Sequence, residues 1–570
     1  MKKRWIAGIL IISLMAGTLT GCGYRLRSGG KSGNSYTADA EATAEEPEEG
    51  YYAEAEAAEE DAYVETVDSS DEAAAEGDTK SYAQSCYQFD WSTVNAEEYS
   101  RWEEKGFASV MKEPLSTFSA DVDTASYSNL RRMITDGYRL EDIPRGAVRI
   151  EEMLNYFTYD YKEPKGSEPF GVTTAIGKCP WNQEAQLLMI GLKTEEIDYD
   201  QTPPSNLVFL LDVSGSMGDY DKLPLLQEAF SLLAENLTAK DRISIVTYAS
   251  EDRVVLEGVK GNNTRKIQKA LNRLMASGGT YGSQGIETAY RIAEENFIEG
   301  GNNRIILATD GDLNIGMTTE EELEELISEK RENGIFLSVL GFGTGNLKDN
   351  KMETLADKGN GNYAYIDCLR EAKKVLADEM TATLLTICKD VKFQVEFNPA
   401  VVAEYRLVGY ENRALAKEDF NDDTKDAGEI GAGHSVTALY ELILKDPIAA
   451  MSEEEIDSLK YGDNYKEELS ASEVSGKAIE EEWLTISIRY KKPAEDTSNL
   501  LQYPVSFDSY AYQPGEDFCF AAAVAEFGLL ASHSAYPEEA SVEHVLSVLE
   551  KLDLEDEYRE EFRDLVEEVR

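Results

Sequence analysis

Short apolar runs alternate with amphipathic segments between residues 205 and 388. A continuous apolar run indicates a strand buried on both faces, and apolar residues at helical spacing indicate the helices that cover it. The pattern predicts strands at 206–211, 242–248, 303–308, 335–340 and 363–366, with a short extra strand at 253–256. It predicts helices at 222–236, 264–275, 283–297, 319–332, 351–357 and 369–384. This alternation indicates an α/β fold, with a doubly wound and mostly parallel sheet that carries helices on both faces.

Two β-rich segments, at 166–204 and 389–500, flank this α/β domain at 205–388. In the second segment, Val391–Phe397 and Trp483–Tyr490 alternate apolar and polar residues, which is typical of half-buried strands. We expect the two segments to pair, so that the α/β domain is an insertion in a β-sandwich. This expectation rests only on the positions of the two β-rich flanks.

Helical patterns predict an N-terminal helical domain at 82–165 and a C-terminal helical region at 501–570. The stretch Asp121–Ser126 suggests a calcium loop, but it lacks the Gly at the sixth position and the Glu at the twelfth that an EF-hand needs. Helix N-capping by Asp123 or Thr124 is the favoured interpretation.

The N-terminus has the composition of a secretory signal. A charged start, Lys2–Arg4, precedes an apolar run from Trp5 to Leu19 that is short for a membrane-spanning helix. The sequence then reads Leu-Thr-Gly-Cys and resembles a bacterial lipobox. The resemblance implies a lipoprotein signal peptide at 1–21 and a lipid on Cys22. An uncleaved anchor or an ordinary signal peptide is the alternative.

Acidic residues dominate the chain, which is 570 residues long and carries a net charge of −54. Residues 22–81 are rich in Gly, Ser, Ala, Glu and Asp, which predicts a disordered acidic tether because such a segment buries little apolar surface. The net charge argues against nucleic-acid binding, which needs Lys and Arg to neutralise phosphates. We therefore expect a lipid anchor in the cell membrane, a folded part on its extracytoplasmic side and no nucleic-acid partner.

Six cysteines are widely spaced, without the paired spacing of a zinc site. They are Cys22, Cys86, Cys179, Cys368, Cys388 and Cys519. A disulfide between Cys368 and Cys388 and scattered free thiols are both compatible with an oxidising compartment.

Hydroxyl and carboxylate side chains occur at three places in this domain. Two of the places directly follow predicted strands, and the third is a glycine-rich loop. They are Asp212, Ser214, Ser216, Thr280 and Asp310. Ligands bind beyond the carboxyl ends of the strands in an open α/β sheet, so we expect these side chains at one sheet edge. Hard oxygens that converge at one point suit Mg²⁺, which keeps positions open for water or a ligand. Helix caps and turns are the alternative interpretation, because Asp and Ser are common at such places.

The same five residues resemble the metal-ion-dependent adhesion site of the von Willebrand factor A family, in the family's order and on its strand and loop types. The resemblance covers about 205–385. It implies that the three hydroxyls bind Mg²⁺, with Ca²⁺ and Mn²⁺ as alternatives. The two aspartates would act directly or through water, and one coordination position would take an acidic side chain of a protein partner.

The flanking regions are similar to those of bacterial YfbK-like lipoproteins, in Phe118–Tyr127 and Asp517–Glu526. That family has no well-defined activity, so this resemblance adds no function.

The leading hypothesis is therefore a membrane-anchored binding protein that is not an enzyme. A scaffold for assembly of a cell-envelope complex is the alternative. A metal-assisted hydrolase is less favoured, because such chemistry usually draws on histidine and clustered carboxylates. The three histidines, His434, His533 and His544, all lie outside the predicted α/β domain.

Overall fold

The computed structural model describes residues 97–280, 282–311, 320–445, 482–493, 495, 497–511, 513–537 and 539–570. The predicted signal peptide, Cys22, Cys86 and the tether lie outside the described residues. The strands are β1 (Ala108–Ser109), β2 (Leu115–Ser119), β3 (Phe170–Lys178), β4 (Ala185–Thr194), β5 (Ser205–Asp212), β6 (Arg242–Tyr248), β7 (Asp252–Lys260), β8 (Asn302–Thr309), β9 (Ile335–Phe342), β10 (Tyr363–Ile366), β11 (Thr386–Phe397), β12 (Val402–Val408), β13 (Gly428–Gly431), β14 (Ser435–Leu444), β15 (Glu482–Lys491) and β16 (Asn499–Ser506). The helices are α1 (Ala125–Thr135), α2 (Ile150–Asn155), α3 (Leu223–Asn236), α4 (Thr264–Leu271), α5 (Gly282–Glu295), α6 (Glu320–Glu332), α7 (Asp349–Lys358), α8 (Leu369–Lys373), α9 (Met380–Leu384), α10 (Glu516–Ala531), α11 (Val542–Leu549) and α12 (Glu557–Glu568).

The central sheet has the strand order β10-β9-β8-β5-β6-β7. All neighbouring strands are parallel except β6 and β7, which are antiparallel. The predicted doubly wound, mostly parallel sheet is confirmed. β5 lies where the strand order reverses, with β6 on one side and β8 on the other. The crevice at such a point is the usual ligand site of an open α/β sheet.

Alternate residues of β5 pack into two separate hydrophobic cores. Leu207, Phe209 and Leu211 belong to the core that contains α3, α4 and α8. Val208 and Leu210 belong to the core that contains α5, α6 and α7. Helices therefore cover both faces of the sheet, which explains why β5 is apolar along its whole length.

Two antiparallel sheets flank this α/β domain. One has the order β1-β12-β14-β4-β3, and the other has the order β13-β11-β15-β16 with β2 also paired to β11. β4 pairs with β14, with Ile190 opposite Ala438, so the expected pairing between the two flanks is confirmed. Side chains from both sheets, such as Ile190, Phe393 and Ile486, share one core.

Residues 115–119 form strand β2, although the sequence predicted a helical domain at 82–165. β2 pairs with β11, and the rings of Phe118 and Phe393 stack with their centroids 4.8 Å apart. Local periodicity carries no signal of a partner so distant in sequence, which is why the strand was missed.

The N-terminal and C-terminal helices share one hydrophobic core. α1 and α2 pack with α10, α11 and α12. The Phe157 ring, two residues beyond α2, makes an edge-to-face contact with Phe520, with the centroids 5.0 Å apart. The predicted helical region at 501–570 begins within β16, continues through a 3₁₀ turn at Phe507–Ser509 and becomes α-helical only at Glu516. No helix in the described part of the chain is long and apolar enough to cross a membrane.

Buried ion pairs join the N-terminal segment to the α/β domain. Arg149 donates to Asp349 at 2.6 Å, and the two side chains are 1% and 3% exposed. Arg131 donates to Asp367 and Glu371, at 2.5 and 2.8 Å. Removal of one partner of such a pair leaves a buried charge uncompensated, so these contacts hold the domain orientation firmly.

The carboxylates of the Asp121–Ser126 stretch bind a guanidinium. Arg413 donates to Asp121 at 3.1 Å and to Asp123 at 3.0 Å. Thr124 occupies the N-cap position of α1, but its side chain makes no capping hydrogen bond. The stretch therefore provides neither the expected side-chain cap nor a calcium loop, because Arg413 supplies the positive charge.

The described cysteines Cys179, Cys368, Cys388 and Cys519 are free thiols. A disulfide between Cys368 and Cys388, one of the alternatives left open by the sequence, is not formed.

Candidate metal centre

The carboxyl ends of β5 and β8 lie side by side at one edge of the central sheet. The two strands are parallel neighbours, with Leu211 opposite Ala308. β5 ends at Asp212, and Asp310 directly follows the last residue of β8. The two aspartates are 0% and 1% exposed. The parallel register thus brings together two buried carboxylates that are distant in sequence.

The loop after β5 turns tightly around the Asp212 carboxylate. The backbone N–H of Ser214 donates to Asp212 Oδ1 at 2.8 Å, and the Thr309 hydroxyl donates to Oδ2 at 3.2 Å. A 3₁₀ turn at Gly215–Gly218 follows, and the hydroxyl oxygens of Ser214 and Ser216 lie 3.0 Å apart. Two hydroxyls and one carboxylate therefore converge within a single short loop.

The glycine-rich loop before α5 is attached to the loop after β5. The N–H of Gly215 donates to the carbonyl of Gly278 at 2.9 Å, and the N–H of Ser277 donates to that of Val213 at 2.8 Å. Gly278 has φ +84°, a left-handed conformation that favours glycine. Thr280 is half-buried and lies two residues beyond Gly278, on the loop that these hydrogen bonds attach to the loop after β5.

A buried lysine that the sequence did not single out binds Asp310. Lys222 Nζ lies 3.0 Å from Asp310 Oδ2, and the two side chains are 5% and 0% exposed. Gly343, directly after β9, leaves space for the lysine, because a Cβ there would lie 2.3 Å from Lys222 Cγ. A lysine in a polar loop before a helix looks like a surface residue, so the sequence offered no signal for this contact.

Two buried carboxylates at this edge, those of Asp212 and Asp310, lie near one buried ammonium, that of Lys222. Burial raises the pKa of Asp212 to about 6, the hydrogen bonds from Ser214 oppose the rise, and the charge of Asp310 adds to it. These three described groups carry a formal charge of −2 + 1 = −1. A bound cation would offset this charge.

The donor set fits a hard divalent cation. Hydroxyl and carboxylate oxygens suit Mg²⁺ and Ca²⁺, whereas zinc and copper favour nitrogen and sulfur ligands. Across the described ranges, no group of three or more His, Cys, Asp or Glu side chains is arranged to hold a metal, either at this edge or elsewhere, so a metal here would depend on the hydroxyl oxygens as well. The assignment of the ligands stays a prediction for Asp212, Ser214, Ser216, Thr280 and Asp310.

Each of the three histidines lies beside residues other than the five predicted ligands. His544 Nδ1 lies 2.8 Å from a carboxylate oxygen of Glu526 in α10. His533 Nε2 lies 3.0 Å from the backbone carbonyl of Ile143. His434, in the turn before β14, lines a cavity of about 380 Å³. A serine nucleophile at the sheet edge would need an imidazole beside it, so these positions give the hydrolase alternative no support.

The sequence matches three family models in succession. Residues 206–377 match the model described as von Willebrand factor type A domain, residues 93–189 that described as von Willebrand factor, and residues 382–570 that described as the C-terminal part of uncharacterized protein YfbK. The chain is also 41% identical over 478 residues to uncharacterized protein YfbK of Escherichia coli (strain K12). That match covers 82% of this chain and 80% of the YfbK protein.

Two more distant similarities cover other shares of the chain. The chain is 29% identical over 150 residues to inter-alpha-trypsin inhibitor heavy chain H4 of Homo sapiens, a match that covers 25% of this chain and 16% of that protein. A solved von Willebrand factor type A protein from Catenulispora acidiphila aligns with a TM-score of 0.40 and 13% identity, over 72% of this chain and 91% of that chain. That structural likeness is too weak to carry an argument, so the assignment rests on the sequence matches.

Von Willebrand factor type A domains typically mediate protein–protein interactions, in some cases through a metal at the metal-ion-dependent adhesion site. The matched residues 206–377 contain β5, apart from its first residue, the strands β6 to β10 and the five predicted ligands. The chain therefore belongs to the YfbK family, and its central α/β domain is a von Willebrand factor type A domain.

Proposed function

We propose that this protein is a membrane-anchored, extracytoplasmic binding protein that uses Mg²⁺ to grip an acidic side chain of a protein partner. The observation that carries the proposal is the pair of buried carboxylates, Asp212 and Asp310, beside two seryl hydroxyls 3.0 Å apart. Ser214, Ser216 and Thr280 would bind the metal through their hydroxyl oxygens. The two aspartates would bind it directly or through water. Ca²⁺ and Mn²⁺ suit the same donors.

Charge explains why a metal would control partner binding. The whole chain carries −54, and the three groups Asp212, Asp310 and Lys222 carry a formal −1 without metal, so both charges repel an acidic partner. A divalent cation changes the formal local charge to −1 + 2 = +1. Bound cations are often the largest local charges of a site. Only the loaded site would therefore attract a carboxylate.

Features of the N-terminal sequence support a position outside the cytoplasm. The charged start, the apolar run Trp5–Leu19 and the lipobox before Cys22 are those of a lipoprotein signal. The predicted tether at 22–81 would link the lipid at Cys22 to the part of the chain that carries the metal site.

Assembly of a cell-envelope complex is the alternative function, and it would use the same metal site with a different partner. The test is a pull-down with the tagged full chain. One sample is solubilised membranes of the same cell, and the other is a mixture of external proteins. We expect capture with Mg²⁺ and loss of capture with EDTA or in Asp212→Ala. The exposed and remote Asp508→Ala is the matched control and should keep the partner.

The outcome of this test also separates the two functions. Loss of a fixed envelope protein of the same cell favours assembly, whereas loss of only an external partner favours adhesion. Capture that is unaffected by both EDTA and Asp212→Ala contradicts the metal-dependent grip.

A further inference from the structure

Two large apolar side chains are exposed on the loops that border the proposed metal site. Tyr220 is 87% exposed and Met275 is 79% exposed, the highest values among the large hydrophobic side chains of the described residues. Tyr220 lies on the loop after β5, four residues beyond Ser216, and Met275 lies five residues before Thr280. Exposed apolar residues that group around a binding site mark an interaction surface, whereas single ones need no explanation.

The two loops belong to one patch of surface. Their backbones are joined by the hydrogen bonds of Gly215 and Ser277 described above. A Cβ built on Gly218 would lie 3.9 Å from Ala276 Cβ. Gly218 is two residues from Tyr220, and Ala276 is adjacent to Met275, so Tyr220 and Met275 lie on neighbouring parts of the surface. We call Tyr220 and Met275 the rim pair.

We infer that the rim pair binds an apolar side chain of the partner, next to the carboxylate that the metal takes. This inference rests on the proposed function, because the metal would fix the carboxylate beside the rim pair. Charge complementarity favours a carboxylate in the partner. The Mg²⁺-loaded centre would be a local positive charge on a chain whose net charge is −54. The occupant is therefore a protein segment with Asp or Glu and a large apolar residue one or two positions away.

The residue types of the rim pair suit such a segment. Tyrosine and methionine are enriched in the cores of protein interfaces, where charged residues are depleted. Methionine is flexible and adapts to apolar surfaces of different shapes, and tyrosine supplies a large rigid contact. The metal would thus require an acidic side chain in the partner, and the rim pair would determine which acidic segments bind tightly.

Two pools of short peptides with a central Asp and blocked termini test the inference. One pool has Leu, Ile, Phe or Met beside the Asp, and the other has Ser, Thr, Asn or Gln there. With saturating Mg²⁺, we expect the wild-type full chain to bind the apolar pool at least about tenfold more tightly than the polar pool. The double variant Tyr220→Ser/Met275→Ser should lose this preference and keep its Mg²⁺ affinity.

Met111→Ser is the matched control, because Met111 is 72% exposed and lies just after β1, outside the two loops. It should keep the full preference for the apolar pool. If the double variant does not fold, the single variants Tyr220→Ser and Met275→Ser carry the test, with thermal unfolding as the check.

The outcomes distinguish the inference from the function on which it rests. Equal binding of both pools by the wild type, or a preference that persists in the rim-pair variants, contradicts the inference and leaves metal-dependent binding intact. If neither pool binds the Mg²⁺-loaded wild type, the proposed function fails and the inference falls with it.

Discussion

Lys222 Nζ lies 3.0 Å from Asp310 Oδ2, and both side chains are buried. The lysine supplies part of the positive charge that the neighbouring carboxylates of Asp212 and Asp310 require. The protein thus carries a cation of its own beside the predicted metal ligands. Stability and metal affinity should therefore respond together when this contact is changed.

Lys222→Met should weaken the metal-free fold and strengthen metal binding. The variant removes the buried ammonium that lies 3.0 Å from Asp310, which costs about 3–5 kcal/mol in the free energy of unfolding. The repulsion between the ammonium and the metal disappears, so Mg²⁺ should bind at least about tenfold more tightly. Urea unfolding with EDTA and calorimetric titration with Mg²⁺ measure the two effects.

The control for this prediction is Lys374→Met. Lys374 is also buried and pairs with Glu379, outside the metal site. Its removal should lower stability and leave the Mg²⁺ affinity unchanged. An Mg²⁺ affinity that is the same in Lys222→Met and the wild type would show that the lysine does not act on the metal.

Gly343→Ala should destabilise the protein more than Gly345→Ala. Both glycines have positive φ, at +72° and +88°, so each alanine carries backbone strain of about 1–2 kcal/mol. A Cβ at position 343 would also lie 2.3 Å from Lys222 Cγ, whereas position 345 has no atom within 4 Å. Urea unfolding compares the two variants. Equal losses would mean that Gly343 does not make space for Lys222.

Arg149→Ala should lower the free energy of unfolding by about 3–5 kcal/mol, because it leaves a buried carboxylate unpaired. Arg149 is 1% exposed and lies 2.6 Å from Asp349. Arg139→Ala is the matched control, since Arg139 is 71% exposed and pairs with Asp142 at 3.0 Å. The control should leave the urea midpoint unchanged, and a wild-type midpoint in Arg149→Ala would rule out a structural role for the buried pair.

The proposed lipid anchor predicts a defined mature N-terminus. Mass spectrometry of the protein from membranes should find a chain that begins at a lipid-modified Cys22. Metabolic labelling with a fatty-acid analogue should mark the wild type and not Cys22→Ser. Label that persists in Cys22→Ser, or a mature chain that begins elsewhere, would argue for an ordinary signal or an uncleaved anchor.

Local patterns in the sequence were enough to predict the α/β domain, because its strands are continuous apolar runs and its helices are amphipathic. The positions of Asp212 and Asp310 at the ends of two strands follow from the same patterns. Contacts between distant residues leave no such signal. The pairing of β2 with β11, the contact of Arg413 with Asp121 and that of Lys222 with Asp310 were therefore missed. The sequence does not distinguish a buried lysine from a surface lysine. Only the fold shows that Asp310, at the end of β8, lies beside Lys222.

The central claim is tested most directly by the Mg²⁺-dependent stability of the full-length protein, measured for the wild type, Asp212→Asn and Asp508→Asn. A cation that binds only the native state adds RT ln(1 + [L]/Kd), about 2.7 kcal/mol at roughly a hundredfold excess over Kd. We predict this gain in the wild type and in Asp508→Asn, which controls for general cation binding to an acidic chain, and no gain in Asp212→Asn. An equal gain in all three proteins, or no gain in the wild type with Mg²⁺, Ca²⁺ or Mn²⁺, would contradict a metal site at this sheet edge.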